Sequence, residues 1–363
     1  MADYDLIIIG GGPGGYVAAI RAAQLGMKTI VIEKENLGGV CLNWGCIPSK
    51  AMLKTAELVH AIHKSSEFGI YVDNIRLDFA KAIERSRTIV GRLNIGIEAL
   101  FKKNGVGHIN SEAHIIDQNT VVLSDDNKQI VGSHVIIATG AVPKSLKGFQ
   151  INGDTCITSK DALQMTKAPN SMAIVGGGPT GVEFAYLYNA YGTKVTLIEA
   201  MERLLPGEDH EISKELENAL SKQGIKSYLN STASIIEMNN DNVKLKISST
   251  EQEKELNVEK VLVSIGMEGN TSCIQPDNLN IDIQNGFINV NDQMETNLKG
   301  VYAVGDVTGK SLLAHVAMAQ GTICVESIAG IENPALDYQY IPSAVYSQPQ
   351  VASIGFTEVK AKE

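Results

Sequence analysis

Two cysteines five positions apart stand in the run Gly38-Gly39-Val40-Cys41-Leu42-Asn43-Trp44-Gly45-Cys46-Ile47-Pro48-Ser49-Lys50. In thiol–disulfide exchange the thiolate is the nucleophile, so the neighbours that matter are those able to hold a negative sulfur. The glycines ask for a turn across the pair, and Pro48 fits the first turn of a helix opening at Cys46. With residues 47 to 58 helical, Cys46 takes the positive end of the macrodipole. Lys50, four residues on, projects from the same side of that first turn. The spacing alone also admits half of a zinc site, although no second Cys/His pair at ligand spacing follows. Inert core thiols are a third reading, since free cysteine is often buried.

The elements that must position this segment repeat. Asp5-Leu6-Ile7-Ile8-Ile9 is an apolar β-branched run of the kind buried on both faces of a parallel sheet. It feeds Gly10-x-Gly12-x-x-Gly15, then a helical stretch from Tyr16 to Leu25, then a second strand from Lys28 to Ile32 ending in Glu33. The pattern recurs as Met172–Val175, Gly176-x-Gly178-x-x-Gly181, a helix from Val182 to Tyr191, and Lys194–Ile198 ending in Glu199. Gly10 to Glu33 and Gly176 to Glu199 both span 23 positions. One glycine turn is weak evidence, but two complete strand–turn–helix–strand–acid units imply two dinucleotide sites, with pyrophosphate on each helix N-terminus. At the second site Glu199 favours NAD over NADP, because a carboxylate suits a free 2′-hydroxyl and repels a 2′-phosphate. Arg203 is the one nearby cation that argues otherwise.

Between and after these units, residues 51 to 70 and 76 to 103 read as helices. His60 and His63 are expected at the surface of the first of them. Residues 108 to 136 alternate like a small antiparallel meander. Ser133 to Ile137 reads as a buried strand running into Ala138-Thr139-Gly140, and residues 225 to 265 read as short strands closing at Gly266. The chain of 363 residues, 44% hydrophobic and 20% charged, suits a globular protein of two domains or more. A formal net charge of −10 argues against nonspecific nucleic-acid binding, and no apolar run reaches a membrane span. The start shows no cationic leader, and Cys156, Cys273 and Cys324 stand isolated, so a reducing, cytoplasmic setting is expected.

The run GGVCLNWGCIPSK resembles the redox-active disulfide segment of the FAD-dependent pyridine nucleotide–disulfide oxidoreductases. Its wording is closest to the dihydrolipoamide dehydrogenase branch, and the resemblance extends from residue 3 to about residue 355. It implies an α/β fold with two Rossmann-like domains of three-layer ββα architecture. Residues 1–148 and 271–341 would bind FAD, residues 149–270 would bind NAD, and residues 342–363 would begin a truncated dimerisation domain. By the resemblance Cys41 and Cys46 form the redox disulfide, with Cys41 as the interchange thiol, and Lys50 and its acidic partner Glu183 stabilise the Cys46 thiolate. FAD is then expected on Gly10, Gly12, Gly15, Glu33, Lys50, Ala113, Thr139, Gly140, Asp306, Ala314 and His315. NAD is expected on Gly176, Gly178, Gly181, Glu199, Ala233 and Gly266. Met267 stands where the family often has an arginine, which puts that contact in doubt.

The implied reaction is oxidation of dihydrolipoamide on a lipoyl carrier protein, within a 2-oxo acid dehydrogenase or glycine cleavage complex. A homodimer is expected of the full-length family member. The family's dimerisation domain of roughly 100 residues, with the His–Glu pair that serves as acid–base for the dithiol, is expected beyond Glu363. Glutathione and mercuric reductases carry related cysteine segments and remain alternatives within the family. A catalytically incomplete flavin-binding fragment is the alternative outside it.

Overall fold

A computed structural model describes residues 2–250, 252–274 and 279–363. Its parallel sheets and alternating helices place the chain in the α/β class, and its contacts divide into two compact units. The first comprises Met1–Cys46, Val90–Val142 and Met267–Tyr338; the second comprises Ile47–Ile89, Pro143–Gly266 and Gln339–Glu363.

In the first unit a parallel sheet runs in the order Gly107–Asn110, Thr29–Glu33, Tyr4–Ile9, Gln129–Ile137, Val301–Ala303. Leu6, Ile7 and Ile8 are fully buried, as a strand covered on both faces requires. The helix Pro13–Gln24 buries a stripe of Gly14, Gly15, Ala18, Ala19 and Ala22. Small side chains there let the helix Ala314–Ile328 approach so closely that a Cβ on Gly321 would meet the Gly14 carbonyl at 2.5 Å. The expected meander over residues 108 to 136 needs correction at its start. Gly107–Asn110 pairs in parallel with Thr29–Glu33, and only Ala113–Ile115, Thr120–Leu123 and the first half of Gln129–Ile137 are antiparallel. Alternation reports one covered face and is blind to strand direction.

The second unit repeats the plan. Its parallel sheet runs Lys226–Tyr228, Lys194–Ile198, Ser171–Val175, Lys260–Val263, Cys156–Ile157, and its antiparallel meander is Thr232–Met238, Val243–Ser248, Glu253–Val258. Met52, Leu53, Ala56 and Val59, from the helix Cys46–His63, bury into a core with Phe79, Tyr186, Tyr188, Val345 and Val351. That helix opens at Cys46, as the cysteine segment predicts, but ends at His63, short of residue 70, giving way to a short 3-10 turn at Ser65–Phe68 closed by Gly69. The other long helix runs over Phe79–Asn104. The strands Ser343–Val345 and Val351–Ser353 form an antiparallel pair on the same core.

Candidate active site

Cys41 and Cys46 are joined in a disulfide, with their Cα atoms 4.6 Å apart. Cys46 opens the helix that ends at His63, so its backbone sits where the unpaired N–H groups of a first turn point outward. Cys41 lies in a short helix, Gly39–Trp44, rather than in the open turn its glycines suggest. Gly38 takes a left-handed φ of 97° just before that helix, a conformation that spares only glycine. Leu42 and Asn43, between the cysteines, are buried.

Lys50 lies one turn into the helix from Cys46. In the second unit its Nζ is 3.0 and 2.9 Å from the two carboxylate oxygens of Glu183. Glu183 is 7% exposed in its side chain, against 37% for Lys50. The backbone N–H of Tyr346 also donates to Glu183 at 3.0 Å, and the Tyr346 ring centroid is 4.9 Å from Nζ. A buried carboxylate is tolerated when donors surround it, and here an ammonium and an amide do so.

The two glycine turns are built alike. Gly10 (φ +105°) and Gly176 (φ +114°) both adopt backbone that side chains rarely reach. A Cβ on Gly15 would run into the Gly10 carbonyl, and one on Gly181 into the Gly176 carbonyl. The helices Pro13–Gln24 and Pro179–Ala190 each follow a glycine with no side-chain cap, and neither has an acidic residue in its first turn. The first-turn N–H groups are therefore left for an anion.

Glu33 and Glu199 close these turns in the same way. Glu33 accepts from the N–H of Gly11 (2.7 Å) and Glu35 (2.8 Å). Glu199 accepts from the N–H of Gly177 (2.5 Å) and Met201 (2.8 Å). Neither carboxylate waits free for a ribose, since each first braces its own glycine turn; an ionised carboxylate keeps further lone pairs for a hydroxyl. Gly10, Glu33, Ala113 and Thr139 line one cleft of about 60 Å3 in the first unit, together with Lys34, Ser111, Glu112, Asn270 and Cys273. Thr139 donates to the Asn270 carbonyl at 2.6 Å, and the Asn270 N–H donates to Gly140 at 2.9 Å, which fixes the rim beside it. In the second unit Ala233 sits on a meander strand paired with Ile247, and Gly266 follows the strand Lys260–Val263 with its carbonyl bonded to the Lys144 N–H. Arg203 is held by Glu202 and the Pro206 carbonyl.

Asp306 lies in a 3-10 turn after the strand Val301–Ala303. Burial pushes its carboxyl up to about 6. Ala314 begins the helix Ala314–Ile328, and His315 beside it is exposed. His60, expected at the surface, is instead half-buried and stacked on Tyr186 at 4.8 Å, and burial pulls its imidazole below the ordinary value. Cys156, Cys273 and Cys324 are buried free thiols; burial pushes Cys156 up to about 11 and Cys273 up to about 12, as inert core thiols behave.

The sequence pattern of the pyridine nucleotide-disulphide oxidoreductases matches residues 4–321. The chain belongs to that family. It is 40% identical to a dihydrolipoyl dehydrogenase of Bacillus subtilis, across 99% of this chain and 79% of the relative. It is 41% identical to one of Mycobacterium leprae, across 100% and 79%, and 39% identical to a mitochondrial one of Pisum sativum, across 99% and 74%. The family and these relatives use FAD and NAD(H). Two uncapped helix N-termini suit two pyrophosphates, and the desolvated Asp306 carboxylate suits a ligand hydroxyl, so the residues present fit both groups. Asn43 and Tyr346 were not singled out from sequence for any role, because what marks them is a set of spatial partners.

Proposed function

We propose that the chain oxidises dihydrolipoyl groups to lipoyl groups with NAD+ as acceptor, passing two electrons through Cys41–Cys46 and FAD. The observation that carries this reading is the disulfide closed at the N-terminus of a long helix, in a chain about 40% identical to dihydrolipoyl dehydrogenases. A substrate thiolate attacks Cys41 Sγ, the Cys41–Cys46 bond breaks, and Cys46 leaves as a thiolate at the helix N-terminus. The second substrate thiol then displaces Cys41, giving the lipoyl disulfide and a reduced pair on the protein; of the two protons the dithiol gives up, one is released overall and the other goes with the electron pair into NADH. Lys50, four residues after Cys46, supplies positive charge to that thiolate, and Glu183 holds the ammonium in place. FAD and NAD supply two-electron transfer when bound.

In this reading Gly10, Gly12, Gly15, Glu33, Ala113, Thr139, Gly140, Asp306, Ala314 and His315 hold FAD, and Gly176, Gly178, Gly181, Glu199, Ala233 and Gly266 hold NAD. The two dinucleotide domains are of the three-layer Rossmann type. The substrate is a lipoyl carrier protein of a 2-oxo acid dehydrogenase or glycine cleavage complex, the setting cytoplasmic, and the assembly a homodimer. Among the described residues no helix is long and apolar enough to cross a membrane.

NADH-dependent lipoamide reduction, with a dye acceptor alongside, tests the reading. Cys46→Ser should keep FAD and dye reduction and lose lipoamide turnover; unchanged lipoamide turnover with flavin intact overturns it. A preference for NADPH and oxidised glutathione would favour the glutathione-type alternative.

A further inference from the structure

We infer that Asn43 is the positioning residue of the redox pair, and that Asn94 acts through it. This inference rests on the disulfide chemistry proposed above. Asn43 is 3% exposed and sits between the two cysteines. Its amide nitrogen donates to the carbonyls of Gly39 (3.0 Å) and Leu37 (3.1 Å), with that of Asn36 at 3.4 Å. Its amide oxygen accepts from Asn94 Nδ2 at 2.9 Å, across 51 positions of sequence. One side chain thus fastens the approach loop, Asn36 to Gly39, to the helical turn that carries Cys41.

The same loop is tied to the dinucleotide turn, where the Gly38 N–H donates to the Gly11 carbonyl at 2.7 Å. A six-residue helix is too short to be stable by itself, so the position of Cys41 depends on these bonds. Only a primary amide satisfies this site. It needs donors toward three carbonyls and an acceptor toward Asn94, which neither leucine, serine nor aspartate supplies. Once the disulfide opens, the covalent tether between residues 41 and 46 is gone. Asn43 then holds Cys41 within reach of Cys46 for reclosure, and sets how readily the pair is reduced.

The test uses the full FAD-loaded chain and measures reduction of Cys41–Cys46 by dithiothreitol, in rate and in equilibrium, at several pH values. Neither readout requires a lipoyl substrate, so failure here is distinct from failure of the lipoyl reading. Asn43→Ala should slow reclosure from the mixed disulfide and so speed net reduction at least tenfold. It should also shift the equilibrium with dithiothreitol about tenfold toward the protein dithiol, near 30 mV for a two-electron couple, with FAD content little changed. Asn43→Asp should shift both at least as far, increasingly as pH rises through its carboxyl range, because a carboxylate would face three carbonyls. Asn94→Ala should produce an intermediate shift, and the double variant should be no worse than Asn43→Ala alone. Should Asn43→Ala not fold, the Asn94→Ala shift alone decides. Rate and equilibrium within twofold of wild type in the folded variants overturn the inference.

Discussion

The two glycine turns are near copies, yet only the first runs on into a disulfide. After the strand Thr29–Glu33, Leu37 packs on Gly11 and the Gly38 N–H returns to the Gly11 carbonyl. After the strand Lys194–Ile198, Leu204 packs on Gly177 and the Leu205 N–H returns to the Gly177 carbonyl at 2.9 Å. From this shared anchor the first unit goes on to the helix of Cys41, and the second to the ordinary helix His210–Lys222, capped by Asp209. The sheets differ as little: each has five parallel strands, with the outermost taken from late in the chain (Val301–Ala303) or early in the segment (Cys156–Ile157). The same glycine turn is built twice, and under the proposed function the difference between the halves is what is spliced in after the anchoring leucine.

The largest effects should come from filling the cradles one at a time. Gly15→Val should cost at least about 3 kcal/mol locally and abolish FAD retention. Gly181→Val should abolish NADH binding while FAD remains, as read by flavin absorbance and NADH calorimetry; equal FAD loss in both would break the comparison. Next, Glu183→Ala removes the carboxylate from Lys50 and the Tyr346 N–H. It should lower stability by about 2 kcal/mol in urea unfolding, less than a fully buried pair because Lys50 is partly solvated. Asp306 acts in the opposite sense and costs stability in the FAD-free chain. Its folded carboxyl titrates near 6, above the ordinary 3.8, so ionisation opposes folding fully above pH 6 and not at all below about pH 4. Asp306→Asn should therefore raise FAD-free stability by on the order of 2 kcal/mol at pH 7, with the gain vanishing on acidification. The smallest effect sharpens the comparison of acids: Glu199→Gln should weaken NADH about fivefold, near 1 kcal/mol, and leave FAD content unchanged.

Much of this was legible in residue order. Leu6 to Ile9 announced a doubly covered strand, and the equal 23-position spans announced a repeated cradle, because turn geometry and β-branched runs are local properties. Strand direction at Gly107–Asn110 was not legible, since pairing partners are distant in sequence. His60 looked like a surface residue because nothing in its neighbourhood shows that Tyr186 will cover it. The sequence points to Glu199 as a partner for a ribose hydroxyl and places Glu33 at the end of the matching strand. Their bonds to Gly11 and Gly177 need the folded turn to be seen, as do the four partners of Asn43.

The most direct measurement is an anaerobic reduction of the FAD-loaded chain with NADH, followed by alkylation under native conditions and peptide mapping. Cys156, Cys273 and Cys324 are at most 4% exposed and should stay silent. Two new alkylated thiols per chain, on Cys41 and Cys46, is the predicted result, with neither cysteine labelled when NADH is omitted. Full reduction of the flavin with no labelling of either cysteine would contradict the transfer of electrons through this disulfide.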